Sequence, residues 1–341
     1  MMKTMENGHP SDNCTAENLP LYNFYASVMI MEFTLALPLN LSVLYLFIFK
    51  LKFWKSKTNN IFLFNLVLAD VLLLICLPVK AYHFLNGNRR STEGATCKAM
   101  LFMLFLNRGA SIAFLTVISV DRYFNVVHPG KKNFAKAFKR SPHISFLIWL
   151  LLLPLTIPTM LKSFECCNSY GREDDTLVED VTDTLREVVF FTQILIPFFV
   201  LVYCTVRIVN RLKKKTVGDS TKLRRAVFLV TSVMLVFSLF FLPCTIARMV
   251  LLIFRIKDLQ DAENIAVQLY DGLMVLSYMD CLVDPIVYCL SSTKFKSLYL
   301  TTYCPSLLNK DAESAESPNL TGNNQNKKCN NNALYTVKGL P

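Results

Sequence analysis

The sequence predicts an all-α membrane protein: a bundle of seven transmembrane helices, N-terminus outside, with a short amphipathic helix after the seventh span. Three observations predict it. The 341-residue chain is 53% hydrophobic with a mean hydropathy of +0.37, too apolar for a soluble domain of that size. Apolar runs of about 20 residues, the length that crosses a bilayer, recur seven times, at 22–49, 61–84, 99–120, 144–161, 188–209, 226–254 and 265–290. Lysine and arginine gather in alternate connections, the pattern that orients helices in a membrane.

Residues 1–20 are polar and expected outside. Asn13-Cys14-Thr15 is a glycosylation sequon there, which makes Asn13 a modification candidate. No basic segment followed by a small-residue cleavage site precedes the first run, so no removable signal peptide is expected. The first connection carries Lys50, Lys52, Lys55 and Lys57, and the third Lys131, Lys132, Lys136, Lys139 and Arg140. The fifth carries Arg207, Arg211, Lys213, Lys214, Lys215, Lys222, Arg224 and Arg225 against Asp219. The fourth is acidic, with Glu165, Glu173, Asp174, Asp175, Glu179, Asp180 and Asp183. Odd-numbered connections therefore face the cytoplasm of a multi-pass membrane protein. The net charge of +11 is concentrated on the inner face, where anionic lipid and a partner protein meet it. Divided among membrane loops, that charge does not suit nucleic acid.

The bundle is expected over 21–291. Beyond it, 292–304 can form an amphipathic helix on the membrane surface, a plain loop being the alternative, and 305–341, rich in Asn, Ser, Lys and Glu, reads as a disordered cytoplasmic tail. Of the eleven cysteines, Cys76, Cys204, Cys244, Cys281 and Cys289 fall in apolar spans and read as packing residues. Cys14, Cys97, Cys166 and Cys167 lie on the oxidising side, where four cysteines allow three pairings. Cys304, just past the last span, is a candidate for palmitoylation.

Polar residues inside the spans carry the functional reading. Arg108 lies deep in the third run, about 21 Å of helix from Asp121-Arg122-Tyr123. A guanidinium at that depth costs roughly 3 kcal/mol or more, so it faces a cavity and needs a partner. Asp70, Ser111, Asp280 and Asp284 should share the bundle core, where they can hold a sodium ion and water or form a hydrogen-bonded polar core with one acid protonated. Arg122 can pair with Asp121. Pro197, Pro243 and Pro285 each remove a helical hydrogen bond and permit kinks, which can act as hinges.

Arg248, five residues past Pro243, and Tyr278, seven before Pro285, project toward the outer half. Lys80, two residues past Pro78, adds a cation at similar depth. With no obvious facing acid, Arg108, Arg248 and Lys80 select for anions, and an arginine grips a carboxylate with two parallel hydrogen bonds. Snorkelling to the outer interface is the alternative for Arg248 and Lys80. Leu104 and Asn107, beside Arg108, complete the expected lining.

Enzyme chemistry finds no footing: there is no metal-ligand spacing, nucleophile elbow or phosphate loop, and His9, His83, His128 and His143 are scattered. No cofactor is expected apart from the sodium ion. An organic-anion transporter would also use buried cations, but no internal repeat is visible.

Several residues recur in order across the spans: Asn40, Leu68-Ala69-Asp70, Asp121-Arg122-Tyr123, Trp149, Pro197, Phe241-Leu242-Pro243 and Asp284-Pro285-Ile286-Val287-Tyr288. Together they resemble the rhodopsin-like G-protein-coupled receptors. The stretch Leu101 to Ser111, followed by Phe114-Leu115-Thr116-Val117, looks like that of the hydroxycarboxylic acid receptors, as do Val126-Val127-His128-Pro129, Arg248 and Leu276-Ser277-Tyr278-Met279. The related oxoeicosanoid and hydroxyeicosatetraenoic acid receptors share much of this.

The resemblance implies a ligand carboxylate on Arg108, with Arg248 and Tyr278 lining the same pocket. The ligand would be a small hydroxy acid of the lactate, hydroxybutyrate or nicotinate type, or an oxidised fatty acid. Amine receptors place an aspartate at the position of Leu104, so an amine ligand is disfavoured. The resemblance further implies an activation switch at Asp121, Arg122, Tyr123, Pro243, Asp284, Pro285 and Tyr288, an inhibitory G protein that lowers cyclic AMP, and receptor kinases and arrestin at the tail. It implies a Cys97–Cys167 disulfide, leaving Cys166 for Cys14. This chain departs from its relatives at Asp280, where asparagine is common, and at Asn86-Gly87-Asn88-Arg89-Arg90, where they carry a tryptophan.

Overall fold

The computed structural model describes residues 16, 18–52, 58–88, 94–128, 141–157, 177–214, 220–257, 259–291 and 293–303. These residues are helical almost throughout. In order they form α1 (Leu19–Tyr45), extended by a π turn (Leu46–Lys50), α2 (Thr58–Leu85), α3 (Gly94–Val127), α4 (Ser141–Thr156) and α5 (Leu177–Lys214). The sixth span is α6 (Ser220–Val236), a π turn (Phe237–Phe241) and α7 (Leu242–Ile256). The seventh is α8 (Gln260–Ser277) and α9 (Asp280–Ser291), and α10 (Thr293–Tyr303) follows. Six of the resulting helical segments are long and apolar enough to cross a membrane, and the shorter apolar helix Ser141–Thr156 falls at the expected fourth span. The chain divides into two compact units, Met1–Leu298 and Tyr299–Pro341.

Two boundaries differ from the sequence reading. Glu179, Asp180 and Asp183, assigned above to the fourth connection, lie in the first turns of α5. Acids suit a helix N-terminus, where unpaired N–H groups and the helix dipole are positive. Of the bases assigned to the fifth connection, Arg207, Arg211, Lys213 and Lys214 lie in α5 and Lys222, Arg224 and Arg225 in α6.

Large apolar side chains such as Phe24, Phe49, Ile75, Phe146, Phe199 and Phe228 are exposed along the spans. On a soluble protein such a surface would aggregate; on a membrane bundle it meets lipid. Inside, packing and hydrogen bonds hold the helices together, because lipid is as apolar as the core. Tyr22, Ala26, Met29 and Ala36 of α1 pack on Leu73, Leu77 and Ala81 of α2 and on Val275 and Cys281. Trp149 donates to Asn65 (2.9 Å) and sits against Phe114, tying α2, α3 and α4. At the inner end, Tyr123, Cys204, Ile208, Ala226 and Val230 form one apolar seam, and Tyr123 Oη meets Tyr203 Oη at 3.3 Å.

The prolines act as their chemistry requires. Pro285 has no N–H for the carbonyl of Cys281, four residues earlier. Asn40 supplies the missing donor, its Nδ2 lying 2.9 Å from Cys281 O. The span is broken just before this point, at Tyr278 and Met279, between α8 and α9. In the sixth span the π turn Phe237–Phe241 ends two residues before Pro243, a widening that proline favours. Pro197 lies within a continuous α5. Asn40→Leu is expected to cost about 1–3 kcal/mol, the usual cost of stranding a buried carbonyl, read as a lower Tm of the purified protein.

Candidate functional site

Arg108 projects from the middle of α3. Its neighbour Gly109 lets α4 come close: a Cβ there would stand 2.9 Å from Leu152 Cδ2. The guanidinium of Arg108 meets aromatic faces and sulfur. It lies 5.2 Å from the ring centre of Phe190 and 5.5 Å from that of Phe241, both within cation–π range. Nη1 reaches Cys244 Sγ (3.5 Å) and Met274 Sδ (3.4 Å), both weak acceptors. Nε and Nη2 are buried with no hydrogen-bond partner among the described residues. Asp280 is within electrostatic reach but makes no ion pair with it among the described residues.

For Arg248 the expectation that no acid faces it is wrong. Arg248 is only 1% exposed, and Glu187 of α5 faces it. Arg248 Nε donates to Glu187 Oε2 (3.0 Å) and Nη2 to Oε1, the two-pronged geometry of an arginine–carboxylate pair. Arg186 Nη2 lies 3.9 Å from the same Oε1. Glu187 stands one residue outside the apolar run, so its reach into the bundle was not legible from hydropathy. The ring of Phe190 is shared: its centre lies 5.1 Å from the Arg248 guanidinium and 5.2 Å from that of Arg108.

Lys80 and Arg248 do not snorkel. Lys80 Nζ donates to Tyr278 Oη (2.8 Å) and lies over the rings of Tyr278 and Phe84, at 5.0 and 5.6 Å. It is within electrostatic reach of Glu32 of α1, a fully buried acid whose two oxygens have no hydrogen-bond partner among the described residues. Sequence reasoning missed Glu32. The signal was available, since it is the single charged residue between 22 and 49 and an intramembrane acid invites a functional question. Asp271 of α8 accepts from Tyr22 Oη (2.8 Å). Leu104 packs on the cluster that includes Leu77, Tyr278 and Cys281. Asn107 is buried with Oδ1 unpartnered among the described residues; one helix residue away, it points about 100° from Arg108.

Deeper in, Asp70, Ser111, Asp280 and Asp284 are all buried. Tyr288 Oη donates to Asp70 Oδ2 (2.8 Å), Ser111 Oγ to Asp280 Oδ2 (3.4 Å) and Cys281 N to Asp280 Oδ1 (2.8 Å). Asp70 Oδ1 and both Asp284 oxygens have no partner among the described residues. No group of three or more His, Cys, Asp or Glu residues is placed to hold a metal ion there, among the described residues. At the inner end of α3, Asp121 and Arg122 interact electrostatically. Asn13, Cys14, Cys166, Cys167 and Cys304 lie outside the described residues, and Cys97 falls on α3 with its side chain outside them.

Among the described residues, six helices long and apolar enough to cross a membrane and one shorter apolar helix carry a deep arginine that faces rings and sulfur, and together they define a polytopic membrane protein. The family model of the seven-transmembrane receptors of the rhodopsin family matches residues 39–288, and the chain belongs to that family. It is 32% identical to the mouse 12-(S)-hydroxy-5,8,10,14-eicosatetraenoic acid receptor over 84% of this chain and 91% of that one. It is 32% identical to human hydroxycarboxylic acid receptor 2 over 92% of this chain and 88% of that one, and 28% identical to human oxoeicosanoid receptor 1 over 80% and 70%. These relatives are receptors rather than enzymes, and the chain is a multi-pass protein of the plasma membrane. Its family works through a small-molecule ligand and a heterotrimeric G protein.

Proposed function

We propose that this receptor binds a carboxylate ligand on Arg108 and signals through inhibitory G proteins to lower cyclic AMP. The observation that carries it is the Arg108 guanidinium, walled by Phe190 and Phe241, with Nε and Nη2 unpartnered among the described residues. Those two N–H groups need acceptors, and a carboxylate supplies charge and two lone-pair sites at once. Tyr278, Lys80 and Arg248 would line the same pocket in this reading. The aromatic walls favour a small hydroxy acid. An oxidised fatty acid is the second reading, supported by relatives of equal identity that are named for such lipids. A carboxylate panel spanning both classes, read by cyclic AMP on wild type and Arg108→Ala, tests the proposal. Loss of the response to pertussis toxin identifies the inhibitory G protein.

Ligand binding would shift the bundle toward a form in which the seam of Tyr123, Ile208 and Val230 opens. Arg122 would then leave Asp121 for the G protein, and the tail would become a target for receptor kinases and arrestin. A sodium ion belongs to the resting form in this reading. It would be held by Ser111, water and no more than two of Asp70, Asp280 and Asp284. The unpartnered oxygens of Asp70 and Asp284 support it. Replacing sodium by choline should raise agonist potency in wild type and leave Asp284→Asn unchanged; a sodium effect that persists in the variant removes Asp284 from the site.

A further inference from the structure

Besides Arg108, the bundle holds a second guanidinium that could take a carboxylate, and a carboxylate of the protein already sits on it. Glu187 presents both its oxygens to Arg248, which is 1% exposed. That pairing uses the fork of N–H groups by which an arginine recognises a carboxylate. Arg186 adds a further contact to Oε1 at 3.9 Å. Phe190 lies one helical turn along α5, with Arg108 5.2 Å and Arg248 5.1 Å from its ring centre. Sharing one ring, the two guanidiniums are close enough for the two ends of a short diacid to bridge. Lys80 is engaged by Tyr278 and within reach of Glu32.

We propose that Glu187 sets the charge class of the ligand. Resting on the reading of Arg108 as the carboxylate anchor, Glu187 acts as a built-in second carboxylate. It reserves the pocket for monocarboxylates and turns away dicarboxylates, whose second anion would find Arg248 occupied and Glu187 repelling it. Removing the charge of Glu187 leaves Arg248 without its carboxylate and takes away the repulsion, and the receptor then accepts a diacid with one end on each arginine. Selectivity by a like charge placed against the wrong ligand is an economical form of discrimination.

The test uses the full-length receptor in cells, with surface expression followed by an N-terminal tag and signalling by cyclic AMP. The probes are butyrate, hexanoate and decanoate against succinate, adipate and sebacate. Wild type should answer to a monoacid at concentrations at least tenfold below those of the diacid of equal length. Glu187→Gln, which keeps a hydrogen-bond acceptor for Arg248, should improve diacid potency by roughly tenfold to a hundredfold, the scale of a close charge pair in such a site. Adding Arg248→Gln should abolish that gain. A wild type that answers equally to monoacid and diacid overturns the inference, even if the Gln variant fails to reach the surface. So does a surface-expressed Glu187→Gln that gains nothing for any diacid. If no monoacid acts, or if Arg108→Ala keeps the response, the carboxylate-anchor reading itself fails. If Arg108→Ala loses the monoacid response while Glu187→Gln gains no diacid, only the role of Glu187 falls.

Discussion

Arg108→Ala is expected to abolish the carboxylate response while the receptor still reaches the cell surface. Truncating one member of a desolvated arginine–carboxylate pair costs about 2–5 kcal/mol, so potency should fall by at least about thirtyfold. Arg108→Lys should recover only part of it, because an ammonium is a point charge that cannot form two parallel hydrogen bonds in one plane. The distinctive part of the prediction concerns stability. Arg108 has no carboxylate in ion-pairing contact among the described residues, only sulfur atoms and ring faces. Its removal therefore breaks no ion pair among the described residues and relieves a desolvated charge, at the cost of the longer-range attraction to Asp280. The Tm of purified Arg108→Ala should equal or exceed that of ligand-free wild type. An arginine with a structural task would show the reverse, with a falling Tm and falling surface expression.

Glu187→Ala should be among the most destabilising single changes in the outer half of the bundle. It leaves the guanidinium of Arg248, almost wholly buried, with its carboxylate gone. Breaking a buried pair from one side costs about 3–5 kcal/mol, most of it the desolvated charge left behind. The converse change, Arg248→Ala, should cost less, because the Glu187 side chain is 18% exposed and keeps Arg186 nearby. Replacing both by leucine should recover much of the loss, since a buried ion pair often adds little over apolar side chains of similar volume. Thermal melts of the four purified forms check this order. A Glu187→Ala protein as stable as wild type would mean that Arg248 finds another anion.

How much of this was legible in the sequence can be argued residue by residue. The spans and their orientation follow from hydropathy and from the distribution of lysine and arginine, both one-dimensional properties. The role of Pro285 was half legible: proline announces a lost hydrogen bond, but that Asn40, some 240 residues away in the chain, repairs it was visible only after folding. The depth of Arg108 was legible because it interrupts a long apolar run. Glu32 interrupts one too and was passed over, although the same argument applied to it. Glu187 gave no such signal, sitting at the edge of a run beside an acidic stretch, where a solvated loop is the ordinary reading. The structure extends α5 through that stretch and turns Glu187 inward onto Arg248.

By itself, the sequence determined the class of molecule and the presence of a charge deep in its third span. A bilayer admits only helices or closed barrels, so apolar length dictates the spans, and a charge at bilayer depth must face inward. Which charges neutralise one another was decided only by the tertiary structure. Pairing depends on distances of a few ångströms between helices far apart in the chain. In a low-dielectric interior a guanidinium with a carboxylate at 3.0 Å, as in Arg248, is a neutral strut, whereas one facing only rings and sulfur, as in Arg108, keeps a charge to be compensated, which is why the proposed ligand is an anion.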